Sequence, residues 1–207
     1  MPQTQWIAKD VALIHDFLSA AECDAYIGLS EGIGFADAPV NTARGMVMMK
    51  ELRNNERVML DDAARAASLW ERLRPAIPVR FKKRWQPVGL NERLRFYRYD
   101  PGQQFDWHHD GYFGRDSGER SFFTFMVYLN DGFDGGETAF AHALHGGEGD
   151  RGFRVRPQAG RALMFHHPIL HKGEPVLRGR KYVLRTDVMY AEVARAAAED
   201  GEAPPIG

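Results

Sequence analysis

The chain has 207 residues, of which 44% are hydrophobic and 27% are charged, and its formal net charge at pH 7 is -1. This ordinary globular composition argues against a wholly disordered chain and allows one domain with a full core. The near-zero net charge excludes a global electrostatic attraction to nucleic acid or anionic membranes.

The compartment of the protein is predicted from features that its sequence lacks. Cys23 is the one cysteine, so no disulfide can form within the chain. The opening segment, MPQTQWIAKD, has no basic region followed by an apolar stretch, which is the pattern of a secretion signal. No uninterrupted apolar run approaches the roughly 18 to 20 residues that span a bilayer. We therefore expect a cytoplasmic protein with no membrane partner.

The first part of the chain, residues 1–92, is predicted to be helical. Ser19 and Glu22 have capping-box spacing and are expected to begin the first helix. A second helix is expected to begin at Asp61 or Asp62 and to end near the prolines at 75 and 78. Its predicted buried residues are Ala66, Trp70, Leu73 and Ile77. Between the two helices, the segment MVMMKEL (46–52) predicts a strand.

From about residue 93 the sequence changes to short aromatic and β-branched segments with turn residues between them. Strands are predicted at RLRFYRY (93–99), SFFTFMVYL (121–129), RGFRVRP (151–157), GRALMFHH (160–167) and KYVLRTDVMY (181–190). Several short strands in succession indicate a barrel or a sandwich. The core is therefore expected over 93–190 of a single domain at 1–194, and the Pro-rich acidic end, 195–207, is expected to be a flexible tail.

The segment DWHHDGY (106–112) carries the clearest candidate for metal binding. Side chains of a strand alternate between its faces, so two ligands from one strand should be two residues apart. His108 and Asp110 meet that condition, whereas His109 is expected to project to the opposite side. Two histidines and one carboxylate on one face of an iron ion form the triad of non-haem Fe(II) oxygenases. A second histidine is therefore required from elsewhere.

Five other histidines are candidates for the third ligand: His142, His145, His166, His167 and His171. His142 and His145 lie in a Gly-rich stretch that predicts a mobile loop, which is a poor support for a rigid ligand. Spacing alone leaves His166 and His171 as alternatives.

Three blocks of the sequence resemble the prolyl 4-hydroxylase type of 2-oxoglutarate- and Fe(II)-dependent oxygenase. The segment YDPGQQFDWHHD (99–110) is similar to the family pattern Tyr-x-x-Gly-x-x-Phe-x-x-His-x-Asp. VYLNDGFDGGETAF (127–140) resembles the Tyr-Leu-Asn and Gly-Gly-Glu-Thr block, and HKGEPVLRGRKYVLRTDVMY (171–190) resembles the block that ends the family's core. The blocks occur in the family's order over about residues 93–190.

The resemblance implies roles for individual residues. His108, Asp110 and His171 would be the iron ligands. Lys181 would hold the distal carboxylate of 2-oxoglutarate, with Arg185 on the same strand face as the second choice and Arg180 pointing away. Tyr99 and Tyr128 would contribute to the cosubstrate pocket. Thr124 and Met126, which share a strand face with Tyr128, are further candidates for its lining.

The resemblance also implies a fold and an activity. The fold would be mainly β with α: a double-stranded β-helix, or jelly roll, with supporting N-terminal helices. The activity would be hydroxylation of an unactivated carbon, with Fe(II), 2-oxoglutarate and O2, release of succinate and carbon dioxide, and ascorbate as an optional reductant. The substrate would be a prolyl or other residue of a protein or peptide. The alternatives are a free amino acid or small metabolite, and, in another class, a non-catalytic sensor of 2-oxoglutarate or metal.

Two polar segments of the first part have both a functional and a plain interpretation. RFKKRW (80–85) is basic enough to touch phosphates, but the neutral overall charge favours a solvated surface and argues against nucleic acid as a partner. RNNER (53–57) is interpreted as a turn before the second helix, with contact to the substrate as the alternative. Trp107, Tyr112 and Phe113 are predicted either to form a substrate wall or to belong to the core.

Overall fold

The computed structural model describes residues 3–42, 45–141 and 152–193. The predicted ligand candidates His142 and His145, and the predicted tail at 195–207, lie outside these ranges. The strands are β1 (Gln3–Ala8), β2 (Val11–His15), β3 (Ala36–Asp37), β4 (Val40–Thr42), β5 (Gly45–Val47), β6 (Glu56–Asp61), β7 (Trp85–Leu90), β8 (Arg93–Tyr99), β9 (Phe105–His108), β10 (Arg120–Tyr128), β11 (Asp134–Gly135), β12 (Thr138–Phe140), β13 (Phe153–Val155), β14 (Ala162–His166), β15 (His171–Gly173), β16 (Val176–Arg178) and β17 (Lys181–Glu192). The helices are α1 (Ala20–Ile33), α2 (Ala63–Leu73) and a 3₁₀ turn at Arg74–Ala76.

Two antiparallel sheets face each other across the centre of the molecule. The major sheet has nine strands in the order β1-β2-β14-β10-β17-β8-β6-β3, with β7 also paired to β17. The minor sheet has four strands in the order β13-β12-β15-β9. The prediction of a mainly β double-stranded β-helix supported by N-terminal helices is therefore confirmed.

The major sheet buries both of its faces because its central strands are apolar on both sides. On β14, Ala162 and Met164 pack on the helical side, whereas Leu163 and Phe165 pack towards the minor sheet. The same alternation on β17 sends Leu184 to the helices and Val183 to the space between the sheets. The functional side chains below lie in that second layer.

The two helices begin where the sequence predicts. Ser19 caps α1 in a full capping box: its Oγ accepts the backbone N–H of Glu22, and the Glu22 carboxylate accepts the backbone N–H of Ser19. Asp62 caps α2, which buries Ala66, Leu69, Trp70 and Leu73 against the major sheet. Ile77 is also buried, but it lies beyond the helix. Among the described residues, neither helix has the length and hydropathy needed to cross a bilayer.

The prediction of a helical region over 1–92 is wrong for much of that region. Its strands β1, β2, β6 and β7 all join the major sheet. The predicted strand at 46–52 is reduced to β5, which ends at Val47 and forms an exposed hairpin with β4. The apolar side chains of MVMMKEL therefore lie at the surface and not in the core, since Met46, Met48 and Met49 are all exposed.

Candidate metal centre

A cavity lies between the two sheets. Its walls combine aromatic rings, three side chains suited to a metal, and two cations. The lining residues are Tyr97, Tyr99, Phe105, His108, Asp110, Thr124, Met126, Thr138, Phe165, His171, Gly173, Lys181, Val183 and Arg185. Lys181 marks one end of this cavity, which we call the lysine end, and the His and Asp side chains mark the other, the triad end.

His108, Asp110 and His171 converge at the triad end. Each offers one ligand atom, and these atoms all lie within 4.8 Å of one another. His108 Nε2 is 3.9 Å from Asp110 Oδ1, and His171 Nε2 is 3.7 Å from Asp110 Oδ2. The two histidines meet because β9 and β15 pair with His108 directly opposite His171. Two imidazoles and one carboxylate in this arrangement suit Fe(II).

Backbone carbonyls fix the orientation of both imidazoles. His108 Nδ1 donates to the carbonyl of Asp106 at 2.7 Å, and His171 Nδ1 donates to the carbonyl of Ile169 at 2.8 Å. A carbonyl can only accept, so the Nδ1 atoms carry the protons and the Nε2 lone pairs point towards Asp110. Burial, reinforced by His171, lowers the pKa of His108 to about 3, and burial also lowers the pKa of His171. Both rings are therefore neutral, which is the form that binds metal.

Asp110 is held as a charged carboxylate. Its backbone N–H donates to the carbonyl of His167, the Thr124 hydroxyl donates to Oδ2 at 2.5 Å, and Arg185 lies 3.0 Å from Oδ1. Burial alone would raise the pKa of Asp110, but the charge of Arg185 and the hydrogen bond from Thr124 hold it well below its usual range.

A chain of hydrogen bonds supports Asp110 from behind. The Thr124 oxygen lies 3.0 Å from His167 Nδ1, and His167 Nε2 lies 2.9 Å from the Ser121 oxygen. Ser121 in turn accepts the backbone N–H of Phe113. Because Thr124 gives its proton to the carboxylate, it accepts from His167, and His167 must then accept from Ser121. Every donor in this chain has an acceptor, which restricts the orientation of the carboxylate.

The remaining described histidines lie away from the triad. His109 is exposed and its Nδ1 is 3.0 Å from the carbonyl of Pro168. His166 packs between Phe81 and Phe123 on the helical side of β14. Strand alternation alone does not account for the proximity of His108 and Asp110, because β9 ends at His108 and Asp110 lies beyond the strand.

Lys181 is an isolated cation at the lysine end. Its side chain is 2% exposed, and Nζ donates to the carbonyl of Gly136 at 2.6 Å. The ammonium lies 4.9 Å from the centre of the Tyr99 ring, and no carboxylate in the described ranges is within ion-pair distance. Burial lowers the pKa of Lys181 to about 8, with Glu137 opposing the shift. Gly136 has φ +69°, and a Cβ there would press on Lys181 Cδ at 3.2 Å.

Arg185 lies on the same face of β17 but has carboxylate partners. It pairs with Asp110 at 3.0 Å and with Asp187 at 3.4 Å. Arg180 points away, as predicted, and pairs with Asp100 at 2.6 Å. Of the two predicted anchors, Lys181 is therefore the one whose charge has no carboxylate to balance it.

The predicted aromatic lining is partly different in the structure. Tyr99, Thr124 and Met126 line the cavity as expected, and burial raises the pKa of Tyr99 to about 12. Tyr128 lies behind the lining: it is fully buried, and its hydroxyl is 2.6 Å from Thr138 Oγ1. Thr138, which belongs to the GGET motif, therefore lines the cavity in place of Tyr128.

Sequence reasoning missed several residues of the site. The Phe105 ring stacks on the His108 ring with 3.4 Å between their centres, and the Arg53 guanidinium lies 4.5 Å from the centre of the Phe105 ring. Tyr97 lines the cavity two residues before Tyr99, and the period of the strand could have indicated it. Arg53 belongs to RNNER, for which contact to the substrate is the alternative interpretation, but its ring neighbours Tyr97 and Phe105 come from distant parts of the chain.

A family model described as the 2OG-Fe(II) oxygenase superfamily matches residues 94–186. This range contains all three triad residues and both cations of the cavity.

Curated relatives and solved structures that resemble this chain include prolyl hydroxylases. Prolyl 4-hydroxylase 1 of Arabidopsis thaliana is 27% identical over 192 residues, which cover 83% of this chain and 66% of the relative. This chain therefore spans just under two thirds of that relative's length. A viral collagen prolyl hydroxylase of Paramecium Bursaria Chlorella virus-1, solved with 2OG, aligns over 90% of this chain and 99% of its own, with a TM-score of 0.58 at 21% identity. A prolyl-4-hydroxylase of Pseudomonas putida aligns over 86% of this chain and 91% of its own, with a TM-score of 0.61 at 18% identity. These two structures share the fold.

Proposed function

We propose, from the premise that residues 94–186 belong to the 2OG-Fe(II) oxygenase superfamily, that this protein is a prolyl 4-hydroxylase-like dioxygenase. It would hydroxylate an unactivated carbon of a prolyl residue in a peptide or protein. In the balanced reaction, one atom of O2 enters the substrate and the other enters succinate, while 2-oxoglutarate loses carbon dioxide.

The observation that carries this proposal is the presence of a metal-binding triad and an unbalanced buried cation in one cavity. The donor set of two neutral imidazoles and one carboxylate fits Fe(II). Lys181, at the opposite end, fits the distal carboxylate of a dicarboxylate such as 2-oxoglutarate. When bound, the iron and 2-oxoglutarate together supply the oxygen-activating chemistry.

The chain itself positions the reactants and excludes water. His108, Asp110 and His171 would hold the metal, and the Asp106 and Ile169 carbonyls keep their imidazoles in the ligating tautomer. Lys181 would orient the cosubstrate. Apolar side chains of the lining, among them Phe165 and Val183, would keep water from the reacting atoms.

A peptide is the preferred substrate because the metal centre opens onto a surface groove. This groove shares His108 and Asp110 with the cavity, and part of its lining is exposed apolar and aromatic side chains, among them Met46, Met59 and Tyr112. The relative from Arabidopsis thaliana is named a prolyl 4-hydroxylase, and a structure from Trichoplax adhaerens with a TM-score of 0.63 is a prolyl hydroxylase in complex with a peptide fragment of hypoxia inducible factor.

The test is turnover of 2-oxoglutarate by purified protein loaded with Fe(II) in air, with and without a library of proline-containing peptides. We expect succinate release to increase with a subset of the peptides, and mass spectrometry to find those peptides with one added oxygen atom. Matched peptides with alanine in place of proline are the control. Oxygen gained only by free amino acids would move the proposal to a small-molecule hydroxylase. Folded, iron-loaded protein that released no succinate under any condition would favour a non-catalytic sensor.

A further inference from the structure

A second recess, which we call the outer groove, leads from the surface to the triad end of the cavity. Strands β6 and β8 form one wall, because alternate residues of each face the minor sheet. The outer groove is lined by Pro39, Val40, Met46, Arg53, Arg57, Met59, Arg93, Arg95, Tyr97, Phe105, His108, His109, Asp110, Gly111, Tyr112, Phe113, Arg185 and Asp187. A substrate that reaches the metal centre through this groove passes five arginines and two aspartates.

Three of the five arginines are balanced by carboxylates. Arg93 makes two hydrogen bonds of 2.9 Å with Asp61. Arg95 lies 3.0 Å from Asp187, and Arg185 contacts both aspartates of the groove. The described parts of the chain place no carboxylate within ion-pair distance of Arg53 or Arg57.

Arg53 is a buried cation with an unused donor. Its side chain is 5% exposed, its Nε donates to Asn55 Oδ1 at 2.8 Å, and its Nη2 has no hydrogen-bond partner in the described structure. The guanidinium lies 4.6 Å from the centre of the Tyr97 ring and 4.5 Å from that of Phe105. Because Phe105 stacks on His108, the Arg53 guanidinium is one ring away from the metal centre.

Arg57 extends the positive region along the same wall. Arg57 is directly opposite Tyr97 in the pairing of β6 with β8. Burial is the main cause that lowers the pKa of Arg57, and the nearby charge of Arg53 lowers it further. Tyr97 responds to the same field. Burial would raise its pKa, but the charges of Arg185, Arg53 and Arg95 lower it to about 8. A buried cation without a counter-charge is costly, so an incoming anion would be stabilised here.

We infer that Arg53 and Arg57 form a carboxylate receptor beside the metal centre, so that the preferred substrate is a peptide with a carboxylate close to the hydroxylated residue. The inference rests on the proposed function and names its substrate class. The carboxylate can come from an Asp or Glu side chain or from the peptide's own C-terminus. Apolar groove residues such as Met46, Met59 and Tyr112 suit the neighbouring apolar part of the same peptide.

The inference can be tested by binding, without any turnover. Fluorescent prolyl peptides that differ only in one residue next to proline, Glu or its uncharged isostere Gln, are titrated into the protein, both with amidated C-termini. A third peptide has Gln and a free C-terminal carboxylate, which separates the two sources of the anion. We expect a peptide with a carboxylate to have a Kd about tenfold lower than the neutral amide. The difference should shrink as salt is added.

Substitutions assign the effect to the two arginines. Arg57→Gln should reduce the Glu-to-Gln preference to near unity, and Arg57→Glu should reverse it in favour of a Lys peptide. Arg53 is buried, so Arg53→Lys is used to retain its charge: this variant should keep a preference for acid but lose part of its strength. Arg74→Gln, an exposed arginine at the end of α2, is the matched control and should bind like the wild type.

Two results would overturn the receptor. One is equal or weaker binding of both carboxylate peptides relative to the neutral amide, and the other is an acid preference that survives Arg57→Glu. Neither result bears on the proposed function, which fails separately if 2-oxoglutarate is not turned over with any peptide.

Discussion

The triad end and the lysine end of the cavity differ in how completely the protein satisfies their charged groups. At the triad end, the Asp110 carboxylate has Thr124 and Arg185, and the two imidazoles donate to backbone carbonyls. At the lysine end, Lys181 has one carbonyl acceptor and, among the described residues, no carboxylate partner.

The difference indicates which groups the fold positions in advance and which it leaves for a ligand. A metal site needs its ligands held in a fixed geometry before the ion arrives, and hydrogen bonds behind the ligands provide this. A cosubstrate site needs an unbalanced charge, because the ligand itself supplies the opposite one. The two cations on one face of β17 illustrate both conditions. Arg185 is balanced by two aspartates, whereas Lys181 has no carboxylate partner among the described residues.

The largest expected effect comes from removing a ligand at the triad end. His108→Ala, Asp110→Ala and His171→Ala should each weaken Fe(II) binding by about 100-fold or more and abolish coupled turnover, because only two ligands remain. Iron content after dialysis and succinate release measure this. His109→Ala is the matched control, since His109 is exposed and bonded to a carbonyl outside the triad. Loss of iron from folded His109→Ala with retention in His108→Ala would contradict the assignment.

The second largest effect is expected at the lysine end. Lys181→Ala should raise the KM for 2-oxoglutarate about 10- to 100-fold, because one charge-assisted hydrogen bond to the cosubstrate is lost. Its effect on iron affinity in the absence of 2-oxoglutarate should be small. An unchanged KM in Lys181→Ala would transfer the anchoring role to Arg185.

The lysine end should also respond to pH. Burial lowers the pKa of Lys181 to about 8, so the ammonium is present below that pH and is lost as the pH rises through it. Only the charged form attracts a carboxylate, and the KM for 2-oxoglutarate should therefore rise above about pH 8. Lys181→Arg should abolish this rise, since arginine stays protonated. A KM that rose with pH equally in both proteins would assign the titration to another group.

Much of the core could be predicted because its signals are local. The predicted strand at 93–99 coincides with β8, and the predicted strand at 181–190 forms most of β17. The α1 capping box involves residues three positions apart, so Ser19 and Glu22 identify it without tertiary information. The choice of His171 as the third candidate ligand depends on the order of three motifs, because spacing alone leaves His166 and His171 as alternatives.

The remaining features depend on contacts between distant segments. β2 pairs with its sequence neighbour β1, but it joins the major sheet through β14, which lies some 150 positions later. RNNER was interpreted as a turn, whereas Glu56 begins β6 and Arg57 faces the outer groove. The resemblance implies a place for Tyr128 in the cosubstrate pocket, but the residue that lines the cavity is Thr138 from β12, whose Oγ1 contacts the Tyr128 hydroxyl.

A smaller effect should follow from breaking the hydrogen bonds behind Asp110. Thr124→Val keeps the shape of the side chain but removes the donor to Asp110 and the acceptor of His167. We expect Fe(II) affinity to fall about tenfold, at the lower end of the range for residues that support metal ligands. Thr124→Ser retains the hydroxyl and should restore most of the affinity. Equal losses in the two variants would mean that the methyl group, and not the hydrogen bond, is what matters.

The smallest effect is expected from Tyr128→Phe, which tests whether the Tyr128 hydroxyl takes part in cosubstrate binding at the lysine end. The change removes the hydroxyl that contacts Thr138, and the ring remains fully buried. We expect the free energy of unfolding to fall by about 1 kcal/mol, the usual contribution of one hydrogen bond, in chemical denaturation. The KM for 2-oxoglutarate should change less than about threefold, because Thr138 and not Tyr128 reaches the cavity. A KM shift as large as that of Lys181→Ala would place Tyr128 in direct contact with the cosubstrate, and the lysine end would then have a second polar group of its own.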